Sequence, residues 1–563
     1  MRYPAIALAS LPIAAIALLG PSLWLGTLPS NNSPQNVIWA GQLSEQIRAG
    51  ILYPRWLPQS FDGLGSPTFY FYPPLPYWLD AIIDVLTFHR VAVDQRLSVD
   101  FVLLLWLSGV AMYTFLRALP VARGIAALGA FAYMAAPYHL FDHYVRGAYA
   151  EFAAFAVVPM VALGIRYVAI RHRFGPVLLA TAYGALTLSH LPSALLVSIS
   201  IVPGYIGYHA WLDKRMRLRF VAVCGLSLAL GLALAAVYLV PALRLQLFIS
   251  AEQLWNYRPE DSLLLIPPAS GKSRDADFMV VLDSIAGGWC LAAVGALLLL
   301  RRQQYTPMRR EGLLWAILAL IALALMAGLV PFFWQIVPFV AKVQFPWRLL
   351  VVVEFAVITA LCLAPWQATA LPIRMCFVAA FVALIPGLAY MAAGTVLRMD
   401  LKTRGEVPTP QDVKEYLPAG YPQKAGSTFT DLGLEPVKDL PAMVCVPAAD
   451  LCTASEQRFG MLTLRVESGH TTVVTVRRFY FPSWQLEPQT PLSPTEPYRL
   501  ISFTSSAGDH TYRLRRRALP EEVIGGVISM LALAVLIGFW GVRMKKTSGS
   551  GWPSPARSSQ GTG

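Results

Sequence analysis

The sequence predicts a polytopic α-helical membrane protein of about 12 transmembrane helices, with an extracytoplasmic β-sandwich-like domain near its C-terminus and a final transmembrane helix. Three observations predict it. Of the 563 residues, 56% are hydrophobic and the mean hydropathy is +0.53, far more apolar than a soluble chain. Apolar runs of about 20 residues, the length that crosses a hydrocarbon core of roughly 30 Å as a helix, recur from Ala5 to Leu397 and again from Val523 to Val542. Between them, residues 398–520 carry prolines, mixed charge and short alternating runs of strand type.

Charge sets the orientation. The 45 Lys and Arg against 32 Asp and Glu give +13, but the basic residues gather in short loops, "RALPVAR", "RHR", "KRMRLR", "RRQQYTPMRR" and "RMKK". That is the positive-inside pattern of a membrane protein, and it leaves no excess to argue for a nucleic-acid partner. The first apolar segment ends in "GTLPS", which lacks a small-x-small cleavage site, so it is expected to remain as an anchor.

The first loop runs from 29 to 96, and its segment 73–88, "PPLPYWLDAIIDVLTF", looks like a span. It is too short, and Asp80 and Asp84 would each cost about 2.5–3.5 kcal/mol near the bilayer centre, so a flat amphipathic surface helix is expected. The second span is then Leu97 to Leu116, followed by spans near 120–137, 149–169, 174–190, 193–212, 219–240, 278–300, 312–330, 348–366, 375–397 and 523–542. This assignment puts both termini and every basic loop on the cytoplasmic side. Residues 330–348, broken by Pro331, Pro338 and Pro346, read as re-entrant or interfacial.

The domain plan is a transmembrane domain at 1–397, a β domain at 398–520, a last helix at 521–546 and a disordered cytoplasmic tail at 547–563, rich in Ser, Gly and Pro. Runs such as "MLTLRVES", "TTVVTVRRFYF", "YRLISFTS" and "HTYRLRR" are the expected strands. In "CVPAADLC", Cys445 and Cys452 are expected to form a disulfide in an oxidising compartment; the other four cysteines lie in apolar segments as packing residues.

Candidate chemistry gathers on the outer side. The first loop offers Asn32, Asn36, Glu45, Arg55, Trp56 and Asp62, then "FDGLGSPTFYFYPP", where glycine turns precede aromatics that suit a sugar or headgroup platform, with Tyr70 and Tyr72 among them. In "APYHLFDHYVRGAYAEFAAF", Asp142, Arg146 and Glu151 precede a span, and an ionisable residue at the depth of Glu151 needs a partner or a task. The pair His139 and His143 reads as interfacial hydrogen bonding in preference to a metal site, as does His190. Tyr257 and Arg258 lie in a charged loop, and Lys342 and Arg348 stand at the mouth of a span, where a guanidinium can grip a phosphate bidentately.

These pieces together resemble a known family. A loop after span one, the helix "IWAGQLSEQIRAGILYPRW", glycine-rich turns and "PPLPYWL" resemble the first external loop of GT-C glycosyltransferases, including the lipid A aminoarabinose transferases and protein mannosyltransferases. The set "YPRW", "FYPPLPYWL", "APYHLFDHYVRGAYAE", "LSHLPSALL", "FPWRLL" and "YFPSWQL" is most similar to the bacterial membrane family labelled 6-pyruvoyl-tetrahydropterin synthase-related, with its YfhO-like relatives. Nothing of pterin chemistry is expected, because the chain has neither a soluble pterin-synthase fold nor a zinc-binding His triad.

The resemblance implies a GT-C-like inner-membrane protein that transfers a sugar from a polyprenyl-phosphate donor to an envelope glycan, lipid or protein acceptor on the outer face. It implies a catalytic role for Glu151, at the place of the family's second acid; Asp62 is the alternative carboxylate, Asn32 is the third catalytic candidate, and Arg55, Trp56, Tyr70, Tyr72, Arg146, Tyr257, Arg258, Lys342 and Arg348 are the expected donor or acceptor contacts. The family's first loop opens with an Asp and then a His, and those places fall on Asn32 and Asn36. An amide cannot take a proton at neutral pH, and loss of such a group typically forfeits about 100- to 10,000-fold in rate. No cofactor is identified with certainty; a divalent metal between the two loops is possible, as in some GT-C enzymes, but not favoured, since one acid and two amides suit a hard cation poorly. The alternative is a non-catalytic relative acting in transport or assembly of lipid-linked envelope polymers.

Overall fold

The computed structural model describes residues 3–548 except 216, 252–257, 267–275, 303, 305, 338, 367–370, 407–411 and 423–431. Its helices are α1 (Tyr3–Leu25), α2 (Ser33–Arg48), α3 (Leu75–Leu86), α4 (Val93–Ala118), α5 (Arg123–Met134), α6 (Tyr149–Ala169), α7 (Gly175–Ser189), α8 (Leu191–Ile199), α9 (Ile201–Leu212) and α10 (Arg217–Leu234). After these come α11 (Ala236–Arg244), α12 (Ala276–Arg302), α13 (Pro307–Ala327), α14 (Leu350–Leu363), α15 (Leu371–Thr403) and, beyond the β domain, α16 (Pro520–Ser548).

Among the described residues, 10 helical stretches are long and apolar enough to cross a membrane, and two shorter apolar helices, Ala9–Leu25 and Gly175–Ser189, stand at the expected first and fifth spans. The chain is therefore a multi-pass membrane protein. Several expected spans are broken helices. The third continues past α5 through Pro137–Phe141 and a π turn, Asp142–Arg146, so the segment expected to be a loop is helical and largely buried. The sixth divides at Ser200 and the seventh at Ala235. At the other end, α15 outruns its expected limit to reach Thr403 and α16 reaches Ser548; the expected disordered tail beyond that lies outside the described residues.

α14 has no lipid face, which is why it is apolar all round: 94% of the span Pro346–Leu363 is buried. Its one acid, Glu354, accepts hydrogen bonds from the backbone N–H of Tyr138 at 2.7 Å and of His139 at 3.2 Å, and from Trp289 Nε1 at 2.9 Å. A buried carboxylate needs such donors, and here it fixes the broken third span against the centre of the bundle.

α3 is the segment whose acids argued against a span. At 12 residues it is too short to cross, but the acids are inside the protein instead of facing water. Arg96 donates to Asp80 through Nε at 3.1 Å and Nη2 at 2.9 Å, and to Asp84 through Nη1 at 2.6 Å. Ser44 Oγ donates to Asp80 at 2.8 Å, tying in α2. The opposite face presents Ile82, Val85, Leu86 and, just beyond the helix, Phe88 to the surroundings. Neutralised acids inward and apolar side chains outward are what an interfacial helix on a lipid surface requires.

The β domain is a sandwich of two four-stranded antiparallel sheets, ordered β1-β4-β7-β6 and β2-β3-β8-β5. The strands are β1 (Met443–Val446), β2 (Leu451–Glu456), β3 (Leu462–Ser468), β4 (Thr472–Phe479), β5 (Trp484–Glu487), β6 (Ser493–Pro494), β7 (Leu500–Ser505) and β8 (Gly508–Arg516). All four quoted runs lie on strands, and their alternation follows the burial: in β3 Leu462, Leu464 and Val466 face the core while Arg465 and Glu467 do not. Cys445 and Cys452 are disulfide-bonded, joining β1 of one sheet to β2 of the other.

First loop and β domain pack as one body. Phe479 N–H donates to Leu64 O at 2.9 Å, Trp56 meets Trp484 edge-on at 5.3 Å, and Phe61 meets Phe479 at 5.7 Å.

Candidate functional site

The site begins with a glycine. Gly147 has φ +60°, and a Cβ there would stand 2.3 Å from Ser30 Oγ and 2.9 Å from Ser33 N, so only glycine lets the turn after the π segment settle on the start of α2. The two loops then pair directly: Asn31 N–H donates to Val145 O at 3.2 Å and Asn32 N–H to Arg146 O at 2.9 Å. Asn36 completes the join, donating from Nδ2 to Gly147 O at 2.7 Å and accepting from Tyr77 OH at 2.8 Å. An amide has both a donor and an acceptor for this position. Asn32 caps α2 with its side chain exposed and makes no side-chain cap bond.

Beneath that join lies a buried charge cluster. Glu151, 1% exposed, accepts from Arg146 Nη1 at 2.8 Å and Tyr138 OH at 2.8 Å, and faces Arg348 Nε at 3.3 Å. Arg146 also donates to Asp142 at 2.5 Å and to Tyr138 OH at 2.9 Å. Arg348 gives Nη1 to Val343 O at 2.7 Å and Gln344 Oε1 at 3.2 Å, while its Nε, though close to Glu151, makes no aligned hydrogen bond. Two guanidinia thus converge on one carboxylate, with hydrogen-bonding capacity left over.

An aromatic wall adjoins the cluster. Tyr72 is half-buried, 5.0 Å from Trp39 and 5.9 Å from Tyr77, ring to ring. Burial pushes its phenol up to about 12, with Arg348, Glu151, Arg146 and Glu415 all acting on it. Arg146, Glu151, Arg348 and Tyr72 are therefore brought together from the predicted set.

Arg55, Trp56 and Tyr70 go elsewhere. Arg55 pairs with Glu522 at 3.1 Å, donates to Val237 O at 2.8 Å and stacks 3.7 Å over Tyr53. Tyr70 OH donates to Glu522 at 2.6 Å and accepts from Arg516 at 3.1 Å, and Trp56 is fully buried against Phe481 and Trp484. They form the seam among first loop, last helix and β domain. Asp62 is exposed at a left-handed turn of φ 53° on that seam, its carbonyl accepting from Arg477 at 3.1 Å. A cavity of about 300 Å³ opens beside it, lined in part by Pro58, Gly63, Glu456, Arg477 and Arg478.

Lys342 is exposed, 5.1 Å over the Phe339 ring, and Arg258 is exposed before the turn Pro259–Ser262. Tyr257 lies outside the described residues. The sequence reading passed over Tyr138, Asp412 and Glu415; no motif marks the last two, which only the fold carries back to the first loop. Among the described residues no group of three or more His, Cys, Asp and Glu is arranged to hold a metal.

The fold and this site define a polytopic membrane protein with a charged, aromatic-walled cluster under a large first loop. Residues 69–254 match the family described as "6-pyruvoyl-tetrahydropterin synthase related domain; membrane protein", which meets the resemblance drawn from the motifs. No curated protein matches the chain. The fold is similar to a cryo-EM structure of the arabinofuranosyltransferase AftD from Mycobacteria at 20% identity and a TM-score of 0.41, over 72% of this chain and 28% of that one. The chain thus spans little more than a quarter of that structure's length.

Proposed function

We propose that the chain is a GT-C-type membrane glycosyltransferase that moves a sugar from a polyprenyl-phosphate donor to an envelope acceptor, on the face of the bacterial inner membrane that carries the first loop. The observation that carries this reading is the pair Arg146 and Arg348 converging on Glu151 beside Tyr72. Guanidinia are weakly hydrated and match phosphate oxygens bidentately, which suits them to a lipid phosphate at the membrane boundary. In this reading Arg348 and Arg146 hold the donor phosphate, Glu151 keeps both guanidinia aimed, and Tyr72, with Trp39 and Tyr77 behind it, faces the sugar.

Arg55, Trp56 and Tyr70 then hold the last helix and the β domain to the first loop. The seam cavity, with Arg477 and Arg478, takes the far end of an extended acceptor whose reacting hydroxyl lies at the Tyr72 wall. The outward apolar face of α3 rests on membrane lipid.

The test is a lipid analysis of a strain lacking the gene, complemented with wild type, Glu151→Gln or Arg348→Gln. A polyprenyl-phosphate sugar is expected to accumulate in the deletion and in both variants. Its absence from the deletion would refute the reading.

A further inference from the structure

The proposed transfer lacks a group to take the acceptor's proton. Asn32 and Asn36 are amides, Asp62 stands on the seam, Asp142 is fully buried behind Arg146, out of reach of an acceptor, and Glu151 is engaged by two guanidinia and a phenol. A carboxylate held by two opposite charges is a weak base.

Another carboxylate arrives from far along the chain. Residues 412–421, between α15 and the β sandwich, return over the bundle as a strap. Asp412 accepts from Phe61 N–H at 2.5 Å, Leu417 O accepts from Ser250 N–H at 2.8 Å, and Ala419 N–H donates to Phe248 O at 3.1 Å. Between these anchors the short turn Lys414–Tyr416 lays the Tyr416 ring on Phe71 at 6.2 Å, nearly parallel, and against Trp39 at 6.1 Å. Trp39 is the residue that backs Tyr72, so the strap ends on the same aromatic wall as the charge cluster.

Glu415 sits one residue before Tyr416. It is half-buried, and among the described residues its carboxylate makes no ion pair. Like Arg146, Arg348 and Glu151, it acts on the Tyr72 phenol. Burial raises its carboxyl above the ordinary carboxylate range, and none of the described guanidinia pairs with it as two do with Glu151.

We propose that Glu415 is the catalytic base of the transfer, taking the proton of an acceptor hydroxyl held at the Tyr72 wall. The acceptor oxygen bonds to the anomeric carbon of the donor sugar as its proton passes to a Glu415 carboxylate oxygen. The bond from that carbon to the phosphate oxygen breaks, and its electron pair leaves with the polyprenyl phosphate, whose added charge Arg146 and Arg348 face. The inference rests on the glycosyltransferase reading, and it makes docking of the β-domain strap a condition for turnover.

The experiment compares full-length wild type, Glu415→Gln and Glu415→Asp in the deletion strain. The purified proteins are then assayed with donor lipid extracted from that strain, and with undecaprenyl phosphate alone as a binding probe in native mass spectrometry. Glu415→Gln is expected to lose about 100- to 10,000-fold in turnover while binding undecaprenyl phosphate within about twofold of wild type. Glu415→Asp is expected to retain turnover with a displaced acid limb of its pH profile.

Wild-type turnover by Glu415→Gln overturns the assignment and leaves the transferase reading standing. A deletion that accumulates no polyprenyl-phosphate sugar overturns both. If Glu415→Gln does not fold, Glu415→Asp decides, and a pH profile identical to wild type overturns the assignment.

Discussion

Removing Arg96 tests why α3 lies where it does. Arg96 is 2% exposed and makes five contacts: two to Asp80, one to Asp84, one to Ser44 Oγ at 3.2 Å and one to Val91 O at 3.3 Å. Arg96→Ala leaves two buried carboxylates unequally stranded. Asp84 keeps Arg48 at 3.3 Å and His89 at 2.7 Å, both on the solvent edge, whereas Asp80 keeps only the Ser44 hydroxyl. Breaking one side of a buried ion pair costs about 3–5 kcal/mol, most of it the penalty on the charge left behind. The loss should therefore fall mainly through Asp80, and Asp80→Asn in the Arg96→Ala background should restore about 1–3 kcal/mol. Reversible unfolding by SDS titration in mixed micelles measures both variants. An Arg96→Ala protein within about 1 kcal/mol of wild type, or a double variant no better than the single one, would refute the claim that Arg96 neutralises a buried acid pair.

Arg348→Gln should weaken undecaprenyl phosphate binding about 10- to 100-fold, the worth of one charge-assisted contact, as read by native mass spectrometry. Asn32→Asp should change stability by less than about 1 kcal/mol, because Asn and Asp cap a helix almost equally well and the side chain is exposed; the same SDS titration checks it. Reducing Cys445–Cys452, which closes a loop of sequence separation 7, should cost about 2 kcal/mol by the chain-entropy relation, seen as a lower melting temperature under reductant. Burial holds the phenols of Tyr70 and Tyr72 up at about 12 against an ordinary 10, so both are neutral in the fold. That contribution is complete below pH 10 and is lost as the pH rises from 10 to 12, and Tyr70→Phe should flatten the decline in melting temperature across that window.

The apolar runs, the strands and the disulfide were legible because each depends on a short window: hydrocarbon length, side-chain alternation, and two cysteines seven residues apart. Glu151 was legible for a related reason, since an acid at a span mouth is anomalous by position alone. Arg55 and Trp56 were not. The "YPRW" group reads as a ligand grip, and only the return of Glu522 and the sandwich to that surface reveals what occupies it. Asp80 and Asp84 read as water-facing acids because their neutraliser, Arg96, lies more than ten residues away in the chain, on α4.

By itself the sequence determined that this chain enters a membrane many times, carries a β domain and presents a polar first loop, because transfer free energy and strand periodicity are sums over neighbouring residues. Tertiary structure decided which charges meet. Arg146 and Arg348 stand about 200 positions apart yet face one carboxylate, and Glu415 comes back to Tyr72 across more than 300 residues. Electrostatic and hydrogen-bond energies depend on distance in space, which the order of residues along a chain does not contain.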